Sequence, residues 1–401
     1  MSSARKTIED VDVSNRSVLV RVDFNVPLRD GVIDDDTRIR AALPTIRSIL
    51  DRGGRVVLMS HLGRPKGSGP EPDFSLAPVA ARLGELLERP VKFPSDDCLD
   101  EKTRGAVAEA EAGDVVLLEN LRFHAGEKKG DRDFAAGLAV YGDVYCNDAF
   151  GAAHRGDASM VAVRESMGDR PGVAGKLLER ELRFLGGAIE DPASPFVAVL
   201  GGAKISDKLK TIRRLAGTVD TLVVGGAMAF TLLRAMGHAT GRSLVEEAMV
   251  DEAKTMLADL ESSSTTLLLP VDFVCAASTD GGETSIHGRD IPDDLMGLDI
   301  GPETAASFAD AVASARTVVW NGPMGLFEVP PFDAGTRRVA EAMASATRNG
   351  ATTIVGGGDT ASAIQGLGMA DRVSHVSTGG GASLTMLEGG PMPALAVLDP
   401  A

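Results

Sequence analysis

The chain has 401 residues, of which 44% are hydrophobic, and it carries a formal net charge of −16. Its length favours two domains over one core, and its negative charge argues against nonspecific nucleic-acid binding. A polar N-terminus and the lack of an apolar stretch of roughly 20 residues argue against a secretory signal and a membrane span. The three cysteines are scattered along the chain, which disfavours a disulfide framework or a thiolate zinc site. We therefore expect a cytoplasmic protein.

Nine short apolar runs, each ending at a polar or glycine-rich cluster, predict the strands of parallel sheets. Most are apolar throughout, as expected for strands buried on both faces, and Ala/Leu/Glu/Arg-rich stretches of helical character separate them. In chain order the runs are residues 18–22, 56–59, 115–118, 144–146, 196–200, 222–224, 267–269, 318–320 and 354–355. We expect an α/β fold whose ligands bind beyond the carboxyl ends of the strands. The run 267–269 is the weakest, because neither arginine nor glycine follows it, and we assign it packing or an indirect role.

A helix is predicted at residues 176–190, between the fourth and fifth runs. Leu178, Leu182, Leu185 and Ile189 lie there at helical spacing, and a proline-containing segment follows. We interpret this helix as the connection between an N-terminal lobe, residues 1–175, and a C-terminal lobe, residues 191–384. A single-helix connection would allow the domains to move relative to each other. The alternative is that the helix packs within one continuous core.

Arginines gather near the strand ends of the first half. Arg21, Arg64, Arg122 and Arg155 lie at or soon after such ends, and Arg38 follows the first strand after a short acidic loop. The guanidinium group presents a planar fork of donors that suits carboxylate and phosphate. Several arginines at one sheet edge therefore predict an anion site. The alternative is that each arginine pairs with a neighbouring acid.

Asp23 and Asn25 are two residues apart at the end of the first run. In an extended chain their side chains point to the same side. They could hold hydroxyl groups of a ligand. Alternatively, Asp23 is only a partner for one of the arginines.

Glycine pairs or triplets follow three predicted strands of the second half, at Gly201-Gly202, Gly225-Gly226 and Gly356-Gly357-Gly358. Glycine lets the backbone approach a ligand closely, and the start of the following helix offers amide donors to phosphate. Three such turns predict a nucleotide site. The sequence lacks the P-loop and Gly-x-Gly-x-x-Gly patterns, which disfavours a P-loop NTPase and a Rossmann dehydrogenase.

Charged residues accompany these glycines. Lys204 and Lys208 lie where a helix is about to start, a position that is mildly unfavourable for a cation unless phosphate binds there; Ser206 is a plausible N-cap of that helix. Asp359 suits Mg²⁺ beside phosphate oxygens, or it is the N-cap of the next helix, and both roles are compatible. Glu328 could accept hydrogen bonds from ribose hydroxyls.

Together these segments resemble the phosphoglycerate kinase family over nearly the whole chain. The matching segments are Arg21-Val-Asp-Phe-Asn-Val-Pro27, Ser60-His-Leu-Gly-Arg-Pro65, Leu117-Leu-Glu-Asn-Leu-Arg-Phe-His124, Asn147-Asp-Ala-Phe-Gly151 with His154-Arg155, Gly201-Gly-Ala-Lys204 with Asp207-Lys208, Leu269-Pro-Val-Asp-Phe273, Trp320-Asn-Gly-Pro323, Gly356-Gly-Gly-Asp-Thr360 and Val376-Ser-Thr-Gly-Gly-Gly381.

The resemblance implies two Rossmann-like parallel-sheet lobes joined by a long helix. It also implies that the C-terminal tail, residues 385–401, returns to the first lobe. Gly389-Gly390-Pro391 stands where the family commonly has a lysine-containing turn, and residues 395–398 look like a final strand.

The resemblance further implies reversible transfer of the acyl phosphate of 1,3-bisphosphoglycerate to ADP, in glycolysis and gluconeogenesis, by a monomer that closes about a hinge. The substrate-binding residues would be Asp23, Phe24, Asn25, Arg38, His61, Leu62, Gly63, Arg64, Arg122 and Arg155. The nucleotide-binding residues would be Gly201, Lys204, Lys208, Asn321, Glu328, Gly357, Gly358, Asp359 and Thr360, with Mg²⁺ held through Asp359 and the nucleotide. The residues closest to the transferred group would be Arg38, Lys204, Gly358 and Gly381.

Two alternatives stay open at the level of sequence: an ATP-dependent carboxylate ligase, and a non-catalytic anion- or nucleotide-binding protein. A ligase would need a third site for an acceptor. Finally, the chain has 30 arginines but only 11 lysines. An acidic, lysine-poor surface suggests adaptation to a high-salt cytoplasm.

Overall fold

The first four apolar runs form neighbouring strands of one five-stranded parallel sheet. The computed structural model describes residues 4–401. By their contacts these residues divide into unit 1, which comprises the chain up to Arg183 together with Pro391–Ala401, and unit 2, Phe184–Gly390. The strands of unit 1 are β1 Ser17–Val22, β2 Leu28–Arg29, β3 Val32–Ile33, β4 Arg55–Met59, β5 Val115–Leu117, β6 Val144–Asp148 and β7 Gly172–Ala174.

The order of the main sheet of unit 1 is β5-β4-β1-β6-β7, with β1 at its centre. Every residue of β1 is buried, Arg21 included, as expected for a central strand of a parallel sheet covered on both faces. Arg21, near the end of β1, is in register with Met59 of β4 and Asn147 of β6. Parallel pairing therefore brings the polar clusters that follow β1, β4 and β6 to one edge of the sheet. The hairpin strands β2 and β3 and the strand β7 were not predicted from the sequence, because two- and three-residue strands carry too little pattern.

Two helices of unit 1, Glu101–Ala108 and Arg132–Ala139, begin at aspartate caps. Asp100 and Asp131 each accept a backbone hydrogen bond, from Thr103 and Phe134 respectively, at 2.8 Å. The helices of unit 1 are α1 Thr37–Asp51, α2 Ala77–Leu87, α3 Glu101–Ala108, α4 Ala125–Lys129, α5 Arg132–Ala139, α6 Ala162–Ser166 and α7 Lys176–Glu181.

Unit 2 contains a six-stranded parallel sheet, ordered β10-β9-β8-β14-β15-β16, and a three-stranded antiparallel sheet, ordered β12-β11-β13. The antiparallel sheet is a feature that the sequence reasoning missed. The strands are β8 Phe196–Leu200, β9 Thr221–Val224, β10 Thr266–Leu268, β11 Asp272–Ala276, β12 Thr284–Gly288, β13 Met296–Ile300, β14 Thr317–Asn321, β15 Thr352–Gly356 and β16 His375–Val376.

Strand β10 corresponds to the weakest of the nine predicted runs. It lies at the edge of the parallel sheet, pairs with β9 alone in that sheet, and is partly exposed. This strand is therefore not buried on both faces, unlike the edge strands β5 and β7 of unit 1, which are buried throughout.

The helices of unit 2 follow its strands as βαβ connections require. They are α8 Gly187–Glu190, α9 Leu209–Leu215, α10 Met228–Ala235, α11 Val250–Glu261, α12 Pro302–Ala313, α13 Ala334–Arg348, α14 Gly358–Gly366 and α15 Gly381–Leu387. None of the helices within residues 4–401 is both long and apolar enough to cross a membrane.

The helix predicted at residues 176–190 is present, but its middle turn is wider than an α-helix. It runs from α7 through a π-helical segment, Leu182–Gly186, into α8. The boundary between the two units falls inside this π segment. A π turn leaves the regular α-helical ladder, so the change of unit coincides with an irregular turn of the helix.

The C-terminal residues Pro391–Ala401 belong to unit 1. The prediction of a strand at residues 395–398 is wrong, because α16, Pro393–Ala396, occupies this segment and begins with proline at its first position. The carboxylate of Asp399 accepts from Arg164 at 2.8 Å and from the backbone N–H of Gly172 at 3.1 Å. These bonds anchor the tail beside β7.

Candidate active site

A fully buried arginine lies at the carboxyl edge of the sheet in unit 1. Arg21 is 0% exposed although it carries a permanent charge. Its Nε–H donates to the Ser159 hydroxyl oxygen at 2.7 Å, one Nη–H donates to the Val22 carbonyl, and the other donates to His61 Nδ1 at 3.0 Å. The strand order explains this position, because β1 is the central strand and its end is covered on both sides.

His61, which follows β4, is surrounded by arginines. Its Nε2 is 3.5 Å from an Nη of Arg155, and its Nδ1 is 3.9 Å from Asp23 Oδ1. Burial lowers the pKa of His61 well below its ordinary value, and the charges of four arginines lower it further. These are Arg21, Arg122, Arg155 and Arg38. We call these four arginines and His61 the arginine cluster; it lies where the sequence predicted an anion site.

Arg38 reaches the cluster from the first turn of α1 and pairs with Asp23. Its Nη1 is 2.9 Å from Asp23 Oδ2. In the structure Asp23 is therefore a partner of an arginine, as one of the two interpretations of its sequence position proposed. Arg38 remains about a third exposed, so its remaining guanidinium donors can reach a bound group.

The backbone after β4 is tied to the loop after β5 by Asn120 and Arg122. Asn120 accepts from the Leu62 N–H at 3.1 Å and donates back to the Leu62 carbonyl at 2.7 Å. Arg122 donates to the Gly63 carbonyl at 2.9 Å, and Asn25 Oδ1 accepts from the Gly63 N–H at 2.8 Å. These bonds connect the ends of β4 and β5 and hold Asn25 beside them.

Gly63 must be glycine at this junction. Its φ is +60°, and a Cβ atom there would lie 2.3 Å from the ring of Phe74. Leu62 and Phe24 contribute mainly through their backbones, because both side chains are buried and the Phe24 N–H donates to the Ser60 hydroxyl at 2.9 Å. Arg64 is exposed, and no bond or ion pair among residues 4–401 ties it to the cluster.

Burial also modifies Arg122. Its side chain is 9% exposed, and its nearest carboxylate oxygen is Asp157 Oδ2, 3.6 Å from Nη2. Burial lowers the pKa of Arg122, and the like charges of Arg155 and Arg21 add to that shift while Asp157 opposes it. This guanidinium is under-compensated without a ligand, which is what an anion-binding group requires.

Glycine-rich loops of unit 2 line a cleft of about 390 Å³ at the carboxyl ends of β8, β14 and β15. Predicted residues that meet there are Gly201, Lys204, Lys208, Asn321, Gly357, Gly358, Asp359, Thr360 and Gly381. We call this space the glycine cleft. Helices α14 and α15 begin at it, at Gly358 and Gly381, so the amide groups of two helix N-termini face the space where an anion would bind.

The close approach of strands in the glycine cleft excludes larger residues. A Cβ atom on Gly201 would lie 2.2 Å from the Pro323 carbonyl oxygen, and one on Gly322 would lie 2.1 Å from the Gly201 carbonyl oxygen. Gly357 is the N-cap of α14 with φ +89°, which favours glycine for conformational reasons. The loops therefore present backbone groups rather than side chains.

Asn321 and the adjacent Gly322 form hydrogen bonds with Lys208 and Thr360, respectively. The Lys208 ammonium donates to Asn321 Oδ1 at 2.5 Å, and the Thr360 hydroxyl accepts from the Gly322 N–H at 2.6 Å. Burial lowers the pKa of Lys208, while Asp207, Glu388 and Asp359 oppose that shift. Lys204 is exposed at the mouth of the same loop.

Two capping predictions are wrong. Lys208, not Ser206, occupies the N-cap position of α9, and the Ser206 hydroxyl donates instead to Glu246 at 2.7 Å. Gly357, not Asp359, is the N-cap of α14. Asp359 is exposed as the second residue of that helix, so its carboxylate is free to face a cation.

A second cavity of about 390 Å³ shares Gly202, Ala203 and Asp359 with the glycine cleft. Its wall is mostly apolar, with Phe230, Leu298 and Met324 among its members, and Glu328 lies at it as well. We call it the apolar cavity. Sequence reasoning missed its walls, because apolar residues on helices and strands have the same pattern whether they line a cavity or fill a core; β13 of the unpredicted antiparallel sheet supplies Leu298.

A separate group of possible metal ligands lies in unit 1. Asp97, Cys98 and His124 have donor atoms within 4.8 Å of one another. Burial raises the pKa of the Cys98 thiol well above its ordinary value, so the thiolate that metals require is disfavoured. His124 Nε2 already lies 3.2 Å from Asp97 Oδ1. This group is best described as a histidine–aspartate contact beside a core cysteine.

Comparison with known proteins places this geometry in a family. The family model for phosphoglycerate kinase matches residues 8–390. A phosphoglycerate kinase of Rhodopirellula baltica is 53% identical over 405 residues, covering 99% of this chain and all of the relative, and one of Clostridium novyi is 51% identical over the full length of both. The solved structure of phosphoglycerate kinase from Coxiella burnetii superposes with a TM-score of 0.88 at 37% identity, and that from Pyrococcus horikoshii with 0.84 at 33%; each comparison covers 98% of both chains.

These similarities extend through both units and do not favour the carboxylate-ligase or binding-protein alternatives. They agree with the two parallel sheets. The chain belongs to the phosphoglycerate kinase family and is a phosphotransferase.

Proposed function

We propose that the chain catalyses reversible transfer of the acyl phosphate of 1,3-bisphosphoglycerate to ADP, giving ATP and 3-phosphoglycerate, as a step of glycolysis and gluconeogenesis. The observation that carries the proposal is the arginine cluster, in which four guanidinium groups surround a neutral, buried His61. Such a concentration of positive charge in a chain of net charge −16 calls for an anionic ligand.

The acid substrate is assigned to unit 1. 3-Phosphoglycerate carries a carboxylate, a hydroxyl and a phosphate. Arginine forks suit its two anionic ends, and Asp23 and Asn25 suit its hydroxyl. Arg64, which is exposed and has no described partner within residues 4–401, is assigned to the same ligand.

The nucleotide is assigned to unit 2. The glycine cleft supplies amide donors, Lys204 and Lys208 for the phosphates, while the apolar cavity next to it suits the adenine ring. Glu328 at the apolar cavity suits the ribose hydroxyls. The shared wall of the two spaces supports one ligand that has an anionic end and an apolar end.

Asp359 fits a magnesium ion bound together with the nucleotide. Its carboxylate is exposed beside the glycine cleft, and Mg²⁺ in such sites is held by one or two carboxylates together with substrate phosphates. The ion, when bound, neutralises phosphate charge and orients the phosphate oxygens.

The proposed chemistry needs no nucleophilic side chain, because a substrate oxygen attacks in each direction. Catalysis then depends on positioning and on charge stabilisation of the transferred phosphoryl group. We assign the stabilisation to Arg38, Lys204 and the backbone amides of Gly358 and Gly381. In-line transfer between two ligands held by different domains requires a hinge closure that also excludes water.

A coupled assay tests the proposal. The purified chain is given ATP, Mg²⁺ and 3-phosphoglycerate, and formation of 1,3-bisphosphoglycerate is followed through oxidation of NADH by glyceraldehyde-3-phosphate dehydrogenase. We expect turnover that requires both substrates and no further acceptor. Consumption of ATP only when a third substrate is added would instead indicate a ligase, and the absence of turnover would contradict the proposal.

We further propose that the chain is a cytoplasmic monomer, and, on the basis of its acidic, lysine-poor composition, that it is adapted to high salt. Unfolding midpoints measured from dilute buffer to multimolar KCl test the adaptation, and a midpoint that rises with salt is expected. Full stability without salt would contradict it. Sedimentation equilibrium tests the monomer.

A further inference from the structure

Ser159 and Glu127 form a buried network with Arg21 beside the arginine cluster. Glu127 and Ser159 are both 0% exposed. The Ser159 hydroxyl donates to Glu127 Oε1 at 2.6 Å, and the Ser159 backbone N–H donates to Glu127 Oε2 at 3.0 Å. Ser159 therefore lies between a buried carboxylate and a buried guanidinium, bonded to both.

The direction of every hydrogen bond in this network is fixed. A guanidinium can only donate, so the Ser159 oxygen accepts from Arg21 Nε. The Ser159 hydroxyl proton is then directed at Glu127 Oε1, which accepts it. Burial raises the pKa of Glu127, while the charge of Arg21 and the bonds from Ser159 oppose that shift. Glu127 is thus the compensating charge for Arg21, one hydroxyl group away.

The network ends at His61 and determines which of its nitrogens carries the proton. The Arg21 Nη2–H donates to His61 Nδ1 at 3.0 Å, so Nδ1 must be the acceptor. Because burial and the surrounding arginines lower the pKa of His61, the ring is neutral and its single proton lies on Nε2. Nε2 lies 3.5 Å from an Nη of Arg155. A neutral imidazole has one acceptor nitrogen, so the shorter Arg21 contact is the hydrogen bond, the Arg155 contact is not one, and the Nε2 proton is left for an anionic ligand in the cluster.

We propose that Ser159 and Glu127 are positioning residues for the acid substrate: through Arg21 they hold His61 as an Nε2–H donor to an anionic oxygen of that substrate. This inference rests on the proposed function, in which the arginine cluster binds 3-phosphoglycerate. Neither residue touches the ligand site itself, and both act through the orientation of Arg21.

The first test uses the wild-type chain and requires no substitution. Nitrogen-15 chemical shifts of the His61 ring, assigned by loss of the signals in His61→Gln, distinguish the two neutral tautomers. We expect the Nε2–H tautomer over the neutral pH range. A ring that carries its proton on Nδ1, or that exchanges evenly between the tautomers, overturns the proposal.

The second test separates positioning from simple stabilisation. Ser159→Ala removes the oxygen that holds Arg21 Nε, and we expect the KM for 3-phosphoglycerate to rise about tenfold, as expected for a weakened hydrogen bond to a charged ligand. The KM for ATP and kcat should change little, and the Nε2–H tautomer should lose its dominance. Ser159→Thr keeps the hydroxyl and should restore the KM.

Glu127→Gln tests the other member. The amide replaces one of two acceptors by a donor, so the Ser159 hydroxyl loses its fixed direction, and we expect a smaller rise in the KM for 3-phosphoglycerate. Ser206→Ala is the matched control, because Ser206 makes the same pair of bonds to Glu246, at 2.7 and 3.0 Å, without an arginine. It should leave the KM for 3-phosphoglycerate unchanged.

The outcomes distinguish the two proposals. If the wild-type chain shows no turnover with 3-phosphoglycerate, the proposed function fails. If it is active, but Ser159→Ala lowers only the unfolding midpoint and leaves the KM and the His61 tautomer unchanged, the network is structural and the inference alone is wrong.

Discussion

The arginine cluster of unit 1 is built mainly from side chains, whereas the glycine cleft of unit 2 is built mainly from backbone groups. In unit 1, long charged side chains converge, and each needs a partner that holds it, such as Asp23 for Arg38 at 2.9 Å or Ser159 for Arg21 at 2.7 Å. In unit 2, glycines expose the backbone, and helix N-termini supply the donors. The first kind of site depends on charge compensation behind the ligand, and the second depends on backbone conformation. Substitutions should therefore damage the two units in different ways.

The largest expected effect comes from a charge in unit 1. Arg38→Ala should lower kcat by roughly a thousandfold, since an arginine that stabilises a transferred phosphoryl group contributes on that scale. The affinity for MgADP should stay nearly unchanged. Steady-state kinetics and calorimetry measure the two quantities.

Arg40→Ala is the control for this change. Arg40 lies one half-turn further along α1 and pairs with Asp36 at 2.7 Å, an exposed pair that contributes little. Unaltered turnover in Arg38→Ala, or equal losses in both variants, would remove Arg38 from its assigned role.

Each unit also buries one aspartate whose pKa burial raises to about 7, Asp148 in unit 1 and Asp299 in unit 2. Because the folded-state pKa exceeds the unfolded value of 3.8, the folded state binds more protons between these pH values, and stability falls as the pH rises through that window. Asp148→Asn should remove this loss of stability with rising pH, because asparagine does not titrate. Its stability relative to wild type, measured by urea unfolding, should rise by up to about 4 kcal/mol between pH 4 and pH 8.

Asp299→Asn tests the same pH dependence of stability in unit 2. Asp148 uses one oxygen, Oδ1, to accept from Leu177 and Leu178, so asparagine can keep both bonds. Asp299 uses both oxygens, one for Ile300 and one for Gly335, so asparagine loses an acceptor. We expect the same pH trend with a smaller net gain. A relative stability that is flat with pH in both variants would contradict the raised pKa values.

Backbone conformation is the sensitive property of unit 2. Gly357→Ala forces a side chain onto φ +89° and places Cβ 3.1 Å from Asn321 Nδ2. We expect the KM for nucleotide to rise about tenfold, because relief of this strain and of the Asn321 contact shifts backbone groups that line the glycine cleft, while the KM for 3-phosphoglycerate stays constant.

Gly350→Ala is the matched control, with φ +87° and nothing within 4 Å of the added carbon. It should lower the unfolding midpoint by a similar amount without changing either KM. If both variants changed the nucleotide KM equally, the effect would come from general destabilisation rather than from the glycine cleft.

Salt concentration should produce the smallest difference between the two sites. Raising KCl from 0.1 to 1 M shortens the screening length about threefold, so the KM for 3-phosphoglycerate should rise more than the KM for nucleotide, part of whose binding we assign to the apolar cavity. Initial rates at fixed Mg²⁺ measure both. An equal rise for the two substrates would remove the contrast between a charge-based and a backbone-based site.

The sequence predicted the parallel strands well, because short apolar runs that end at polar or glycine-rich clusters and alternate with stretches of helical character are typical of βαβ units. The arginines at the strand ends were found because the carboxyl ends of parallel strands meet at one edge of the sheet. The supporting residues were missed: Ser159 and Glu127 lie in loop and short-helix segments with no periodic signal. The helix at 393–396 was mistaken for a strand, because four apolar residues fit either structure and only the preceding proline favours a helix start.

The assignment of ligands to units is the central claim, and crossed calorimetry tests it directly. 3-Phosphoglycerate and MgADP are each titrated into the wild-type chain, Arg122→Ala and Lys208→Ala. We predict that Arg122→Ala lowers the affinity for 3-phosphoglycerate and leaves the affinity for MgADP unchanged. Lys208→Ala should lower the affinity for MgADP and leave the affinity for 3-phosphoglycerate unchanged. If either variant weakened the opposite ligand instead, the assignment of the acid to unit 1 and the nucleotide to unit 2 would be contradicted.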